Sequence, residues 1–255
     1  MQLYGRTQPL AHYPILECLS VIHRLGFDGV ELCLENPDVA PSLLNDDLIA
    51  RVRDHLVDLG LTSFSVSYHK DYIYDDAYFS DTIRGIEATP SFGSDIFVFS
   101  GAPPQKDDDD VWARVVGRTR DLVRAAEDNG VTLALEFEPG FVIGCTADLL
   151  RIFDEIDSPH LKANLDLGHV FLCDPDPMEA IHAVGEHIVH GHIENMARGV
   201  HDHLLPHEGD MSLGDYVRAL DEVGFKGGLA LDLYRQDYEA VAPEAIAFIR
   251  GLLPS

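Results

Sequence analysis

Asn164-Leu165-Asp166-Leu167-Gly168-His169 closes an apolar run that begins at Leu161. The run reads as a strand, its tip is an acid, and a histidine follows one helical turn later. Three other runs end in the same manner. They are Leu133-Ala134-Leu135-Glu136, the run from Ile188 that closes in His190-Gly191-His192-Ile193-Glu194, and Leu229-Ala230-Leu231-Asp232. Four strand-like segments, each tipped by a side chain able to bind a cation, point to one divalent-metal site assembled from strand ends.

Outward from these four runs, strand-like and helix-like stretches alternate along the whole chain. Strands are expected near 2–6, 28–33, 61–67, 95–100, 131–137, 161–166, 187–193 and 228–233. Amphipathic stretches at Pro14–Leu25, Asp46–Leu59, Asp110–Asn129, Thr146–Ile156 and Leu213–Val223 predict helices between them. Leu25-Gly26, Leu59-Gly60, Asn129-Gly130 and Val223-Gly224 read as helix stops just before strands. Eight strand–helix units at a spacing of roughly 30 residues predict an α/β chain folded as a (β/α)8 TIM barrel, one domain over residues 1–255. A doubly wound open sheet would carry a glycine-rich phosphate loop after its first strand. Arg6-Thr7-Gln8-Pro9 stands there instead, and the chain contains no GxGxxG or GxxxxGK[ST].

In a barrel the C-terminal strand ends converge on one mouth. Glu136, Asp166, His192 and Asp232, from strands five to eight, would then be neighbours. Three carboxylates and an imidazole suit Mn²⁺ first, with Mg²⁺, Co²⁺, Fe²⁺ and Zn²⁺ as alternatives. An acid at a strand end taken singly is a common helix cap or loop hydrogen-bond partner. It is the set of four consecutive strand tips that carries the reading.

The charge balance excludes some partners. The 255 residues hold 44 acids against 18 bases, a net charge of −26. Such a field repels nucleic acid. Only four lysines occur, Lys70, Lys106, Lys162 and Lys226, and this acid-rich, lysine-poor style resembles halophilic proteins. Hydrophobic residues make up 46% of the chain, enough for a large core. No apolar run approaches the ~18 residues of a membrane span, and the first residues do not read as a signal peptide, so a cytoplasmic protein is expected. Cys18, Cys33, Cys145 and Cys173 are scattered and are expected as small buried thiols.

Two further stretches stand out. Asp107-Asp108-Asp109-Asp110 is the densest charge run and is expected to open a helix, its acids capping free N–H groups. Glu194–Ser212 is the longest irregular segment and is rich in His201, Asp202, His203, His207, Glu208 and Asp210. Its place after the seventh strand puts it on the catalytic face.

The motifs resemble those of the xylose isomerase-like TIM barrel superfamily, in particular its sugar phosphate isomerase/epimerase group. The resemblance begins at Leu25-Gly26-Phe27-Asp28-Gly29-Val30-Glu31-Leu32 and continues in Leu135-Glu136-Phe137-Glu138-Pro139-Gly140 and Asn164–His169. It ends in His192-Ile193-Glu194 and the loop from His201 to Asp210. It implies that Glu136, Asp166 and His192 are metal ligands and that His169 contacts a substrate oxygen. Asp232 falls where many members carry a ligand glutamate that also moves a proton. Its shorter side chain is a departure, and Glu138 or Glu194 could substitute as acid or base.

The expected chemistry is proton abstraction α to a carbonyl through an enediolate, on a sugar or polyol derivative, with Glu136, His169 and Asp232 as catalytic residues. The alternatives are a dehydratase of a keto-inositol-type substrate, an apurinic-site-endonuclease-like metal hydrolase and a non-catalytic binding barrel. The nuclease would need a cationic groove, and the fourth strand, ending Phe99-Ser100-Gly101, lacks a histidine ligand. Arg6, His69, Glu138, Glu194, His201, His203 and Arg235 are expected to meet substrate. His201 and His203 could instead hold a second metal with His169. His190 is expected to be a barrel-interior histidine satisfied by a neighbour. No nucleic acid or membrane partner is expected, and a homo-oligomer is compatible with the resemblance.

Overall fold

A computed structural model describes residues 1–106 and 108–254. Asp107 of the acidic run and Ser255 lie outside the described residues. Eight parallel strands close into a barrel in chain order: β1 (Gln2–Arg6), β2 (Gly29–Cys33), β3 (Thr62–Ser67), β4 (Ile96–Ser100), β5 (Thr132–Glu136), β6 (Leu161–Asp166), β7 (Ile188–Ile193) and β8 (Gly228–Leu231). β8 returns to pair with β1, so no strand edge is left open. The register aligns the strand tips: Arg6 lies beside Glu31, Ser100 beside Glu136 and Asp166 beside His192.

The helices pack outside, each burying one apolar stripe. In α1 (Ile15–Leu25) the buried face is Ile15, Cys18, Leu19 and Ile22, with Val21 beside it. The helices α2 (Asp46–Leu59), α4 (Val111–Asn129), α5 (Thr146–Ile156) and α8 (Leu213–Glu222) follow the expected amphipathic stretches to within a residue or so. Gly26, Gly60, Gly130 and Gly224 end their helices at positive φ. Four helices were not anticipated: α3 (Asp76–Ala88), α6 (Leu167–Cys173), α7 (Pro177–Val184) and α9 (Tyr238–Arg250).

The acidic run does precede a helix, but Asp110 at the N-cap makes no side-chain capping bond. Asp108 takes the Asp110 N–H on Oδ1 and pairs with Arg114 through Oδ2. All four cysteines are free; Cys18 and Cys33 are buried, whereas Cys145 and Cys173 are half-buried. Among the described residues no helix is long and apolar enough to cross a membrane.

The N-terminal end of the barrel is sealed by aromatic rings. Tyr4 stacks on Phe64 at 4.2 Å between centroids, and Phe64 lies 5.1 Å from His190. The Tyr4 ring occupies space that any side chain at position 228 would need: a Cβ on Gly228 would sit 1.7 Å from Tyr4 Cε2.

Candidate active site

The opposite, C-terminal end holds the polar residues. Glu136, Asp166 and His192 are buried at the tips of β5, β6 and β7, and Asp232 follows β8 directly. His192 Nδ1 lies 3.3 Å from Glu136 Oε2, 3.7 Å from Asp166 Oδ2 and 3.8 Å from Asp232 Oδ2. A cation some 2.0–2.2 Å from each donor would span donors roughly 3 to 3.6 Å apart. Asp166 Oδ2 and Asp232 Oδ1 are buried without hydrogen-bond partners among the described residues. Buried carboxylate oxygens rarely go unpaired. The donor set and its orphaned oxygens therefore fit a divalent cation held by Glu136, Asp166, His192 and Asp232.

Asp166 explains the spacing to His169. Its Oδ1 accepts the His169 backbone N–H at 2.8 Å and so caps α6, which leaves Oδ2 for the site. The cap uses one oxygen of this strand-end acid, and the other is left buried without a partner among the described residues. His169 then directs Nδ1 to the carbonyl of Phe137, 2.9 Å away, and turns its other face to the mouth.

A polar layer one step deeper supports the donors. Asn164 donates through Nδ2 to Glu136 Oε2 at 2.7 Å, and its Oδ1 accepts from His190 Nδ1 at 2.8 Å. Ser65 Oγ lies 2.9 Å from His190 Nε2, so His190 is indeed satisfied by its neighbours. Glu31, fully buried, accepts from Arg6 Nε and from His192 Nε2, each at 2.9 Å. Arg6 also ion-pairs with Asp232 through Nη1. Glu31 and Asn164 were not anticipated as site residues. A glutamate inside the buried run Val30-Glu31-Leu32-Cys33 was the available signal, because an acid is not placed there without partners.

These contacts set the charges. Burial alone would raise the Glu136 carboxyl, but His192, His69 and His169 together outweigh it and pull it down to about 2. Burial is likewise overcome at Asp166, by His169, His192 and His203, and at Glu31, by Arg6, His192 and His190; both lie well below the usual carboxylate range. His192 is pushed down by burial and by Arg6, yet Glu136, Glu31 and Asp166 raise it well above an ordinary imidazole. His190 goes the other way: burial holds it neutral, at about 3. Glu194 is raised well above the normal range by burial and then by Asp166 and Asp232.

The mouth opens into a cavity of about 130 Å³. Its walls are Glu136, Glu138 and Asp232, the histidines His69, His169, His201 and His203, and Arg6, Gln8 and Tyr234. The irregular segment after β7 supplies His201 and His203, and a buried amide braces it alongside the backbone bridge between Asn195 and Leu204. Asn195 Oδ1 accepts the N–H of Met196 and of Met211, and Asn195 Nδ2 donates to the carbonyls of Pro206 and Met211. His203 Nδ1 lies 2.9 Å from the Asp232 carbonyl, and His169 Nε2 lies 3.0 Å from His201 Nε2. One ligand atom from each of His169, His201 and His203 fits within 4.8 Å, so this group could hold a second cation.

Of the residues expected to meet substrate, Arg6, His69, Glu138, His201 and His203 line the cavity. Glu194 and Arg235 do not. Glu194 is fully buried behind Asp166, its Oε1 accepting the Gly168 N–H at 2.9 Å. Arg235 is exposed, pairs with Asp202 at 3.5 Å and lies over the Tyr234 ring. Its long side chain pairs with a surface carboxylate and covers the Tyr234 ring from outside the cavity lining.

The sequence model of the xylose isomerase-like TIM barrel family matches residues 19–252. Over 145 residues the chain is 26% identical to D-psicose 3-epimerase of Enterocloster bolteae, covering 56% of this chain and 46% of that protein. It is 27% identical over 152 residues to fructoselysine 3-epimerase of Escherichia coli O157:H7, covering 56% and 54%. The match thus spans about half the length of these curated relatives. In three dimensions the barrel superimposes on a probable 3-DHS dehydratase of Bacillus anthracis with a TM-score of 0.83, at 15% identity and covering 98% of this chain and 99% of that one. It also superimposes on a xylose isomerase-like TIM barrel protein from Mycobacterium smegmatis in complex with magnesium, with a TM-score of 0.79 at 23% identity, covering 98% and 96%.

Proposed function

The chain belongs to the xylose isomerase-like TIM barrel family, and from that premise we propose that it is a divalent-metal-dependent isomerase or epimerase of a sugar or sugar derivative. The observation that carries the reading is the convergence of Glu136, Asp166, His192 and Asp232 around buried oxygens that lack partners. Its epimerase relatives, and a magnesium complex among its structural neighbours, support the same choice. Mn²⁺ suits the three carboxylates and one imidazole best.

Glu136, Asp166, His192 and Asp232 would hold the cation, which when bound would supply Lewis-acid polarisation of a carbonyl and offset the charge that develops as the α-proton leaves. The rest is the work of the side chains. Glu136, ionised at neutral pH and held by Asn164, takes the proton. His169, its Nδ1 tied to the Phe137 carbonyl, would exchange its Nε2 contact with His201 for a substrate hydroxyl and so orient it. His69, His201 and His203 offer further hydrogen bonds from the cavity wall. Asp232 stands three strands round the barrel from Glu136 and faces the substrate from another side, where it can return the proton.

Arg6 occupies Asp232 Oδ2, so Oδ1 is the oxygen left to Asp232, and it would have to leave the cation before it could carry a proton. A second reading, a dehydratase, draws on Glu138. This cavity-lining carboxyl is raised by burial and then by the neighbouring Glu136. A carboxyl shifted towards its protonated form is better suited to help a hydroxyl depart.

Both readings predict that the protein exchanges the α-proton of its substrate with solvent. A panel of ketoses and cyclic keto-polyols in D₂O with Mn²⁺, followed by NMR, should show deuterium entering one position. Glu136→Gln should slow the exchange roughly a hundredfold to ten-thousandfold. Full activity in that variant, or after complete chelation, would refute the proposal. An epimerised product favours the first reading, and a product that has lost water favours the second.

A further inference from the structure

We infer that Glu31 is a positioning residue that sets how His192 presents itself to the cation, an assignment that rests on the metal-dependent reading above. Glu31 projects from β2 and meets a histidine on β7, three strands away round the barrel. Its two oxygens are divided between two close donors, with the Cys33 thiol 3.7 Å from Oε1 and His190 Nε2 3.4 Å from Oε2 as longer contacts. Oε1 accepts from Arg6 Nε and Oε2 accepts from His192 Nε2, each at 2.9 Å. With Nε2 committed as the donor, Nδ1 is the atom turned towards Glu136, Asp166 and Asp232. An imidazole can bind a cation only through a nitrogen that offers a lone pair, and the hydrogen bond made by the other nitrogen decides which one that is.

Arg6 extends the same frame. It lies directly beside Glu31 in the β1–β2 register, binds its Oε1, and reaches Asp232 with Nη1. One carboxylate–guanidinium pair therefore touches donors from two other strands, His192 and Asp232. A buried glutamate is costly unless both of its oxygens are paired. Here both are, by groups that lead directly into the site. None of the atoms in this frame other than those of Arg6 and Asp232 belongs to a cavity-lining residue, so Glu31 acts through His192 and does not touch substrate.

The test is Mn²⁺ affinity, read by the EPR signal of free Mn²⁺ in a titration of chelator-treated protein. Glu31→Gln keeps the volume but offers one acceptor oxygen to two obligatory donors, so either Arg6 or His192 loses its partner. We expect the variant to bind Mn²⁺ roughly tenfold to a hundredfold more weakly, with unchanged far-UV circular dichroism. Ser65→Ala is the control: it removes the hydroxyl beside His190 in the same buried layer and leaves the Glu31–His192 bond in place. Its affinity should stay close to that of wild type, because the ligand's own partner is untouched.

Unchanged affinity in Glu31→Gln overturns the assignment, and so does an equal loss in Ser65→Ala. A second measurement needs no variant: ¹H–¹⁵N spectra of the magnesium-loaded wild type should show a proton on His192 Nε2 and none on Nδ1. The reverse pattern overturns the assignment even if Glu31→Gln does not fold. A wild-type protein that takes up no divalent ion would overturn the functional proposal together with this one. Normal uptake with an unaffected Glu31→Gln would overturn this one alone.

Discussion

The two ends of the barrel use the same eight strands for opposite purposes. At the N-terminal end Tyr4 and Phe64 stack face to face, and Gly228 leaves room for the Tyr4 ring. At the C-terminal end the strands close on Glu31, Glu136, Asp166 and Asp232, all buried, with Arg6 and several histidines among them. The first end gains stability from apolar packing. The second spends it on desolvated charges that are valuable only if something binds there. In a (β/α)8 barrel this division is expected, since chemistry sits at the C-terminal mouth and the opposite face serves the fold.

The largest effect that would sharpen the contrast is acid sensitivity at the mouth. Glu136 falls from an ordinary 4.5 to about 2 in the folded protein. A carboxylate with a depressed folded-state pKa stabilises the fold above its unfolded value, and that contribution is lost as pH drops towards the folded one. In metal-free protein roughly 3 kcal/mol should disappear between pH 4.5 and 2, at about 1.36 kcal/mol per pKa unit. Urea unfolding across this range should show the loss in wild type and a smaller one in Glu136→Gln. Equal pH dependence in the two would break the electrostatic picture of this end.

A change at the sealed end comes next in size. Gly228→Ala should cost about 1–3 kcal/mol through overpacking against Tyr4. Calorimetry should register a lower Tm, while Mn²⁺ affinity stays at the wild-type value. A loss of affinity comparable to that of a ligand variant would mean that the two ends are not separable.

The smallest effect has the opposite sign. Glu194 keeps its proton far above the usual carboxylate range because burial and then Asp166 and Asp232 disfavour its charge. A raised carboxyl penalises the fold as pH climbs above the unfolded value, since the unfolded chain releases a proton that the folded chain must hold. Glu194→Gln, which copies the protonated form, should raise the Tm of metal-free protein at pH 7 and leave it unchanged at pH 4. A lower Tm at both values would show that Glu194 is charged and paired in the fold.

Much of this architecture was legible from local pattern. The eight strands, the α2 and α5 boundaries and the stop glycines follow from periodicity and φ preference, which are properties of short stretches. Helices α3, α6, α7 and α9 were missed. For α6 the reason is visible: its cap is Asp166 itself, a residue already read as a ligand, and the helix is only about two turns of Leu-Gly-His-Val-Phe-Leu-Cys. Arg235 and Glu194 carry suitable groups at suitable places in the chain, yet one pairs with Asp202 on the surface and the other turns behind Asp166. Glu31 lay in plain view as an acid in a buried apolar strand, but its meaning depends on a histidine 161 residues away.

Strand–helix alternation, a barrel of eight strands, and acids and a histidine at consecutive strand tips are all readable in the order of residues. Those follow from side-chain period and from the rule that parallel strands present the same ends to the same mouth. What each oxygen and nitrogen touches follows from the closing of the barrel, and the structure is what shows it. It divided Asp166 between a helix cap and the site, tied Asp232 to Arg6, and placed Glu31 behind His192. Closing the sheet brings distant strands to within hydrogen-bond range. At that range a displacement of about one ångström separates a bond from none, a distinction that sequence spacing does not encode.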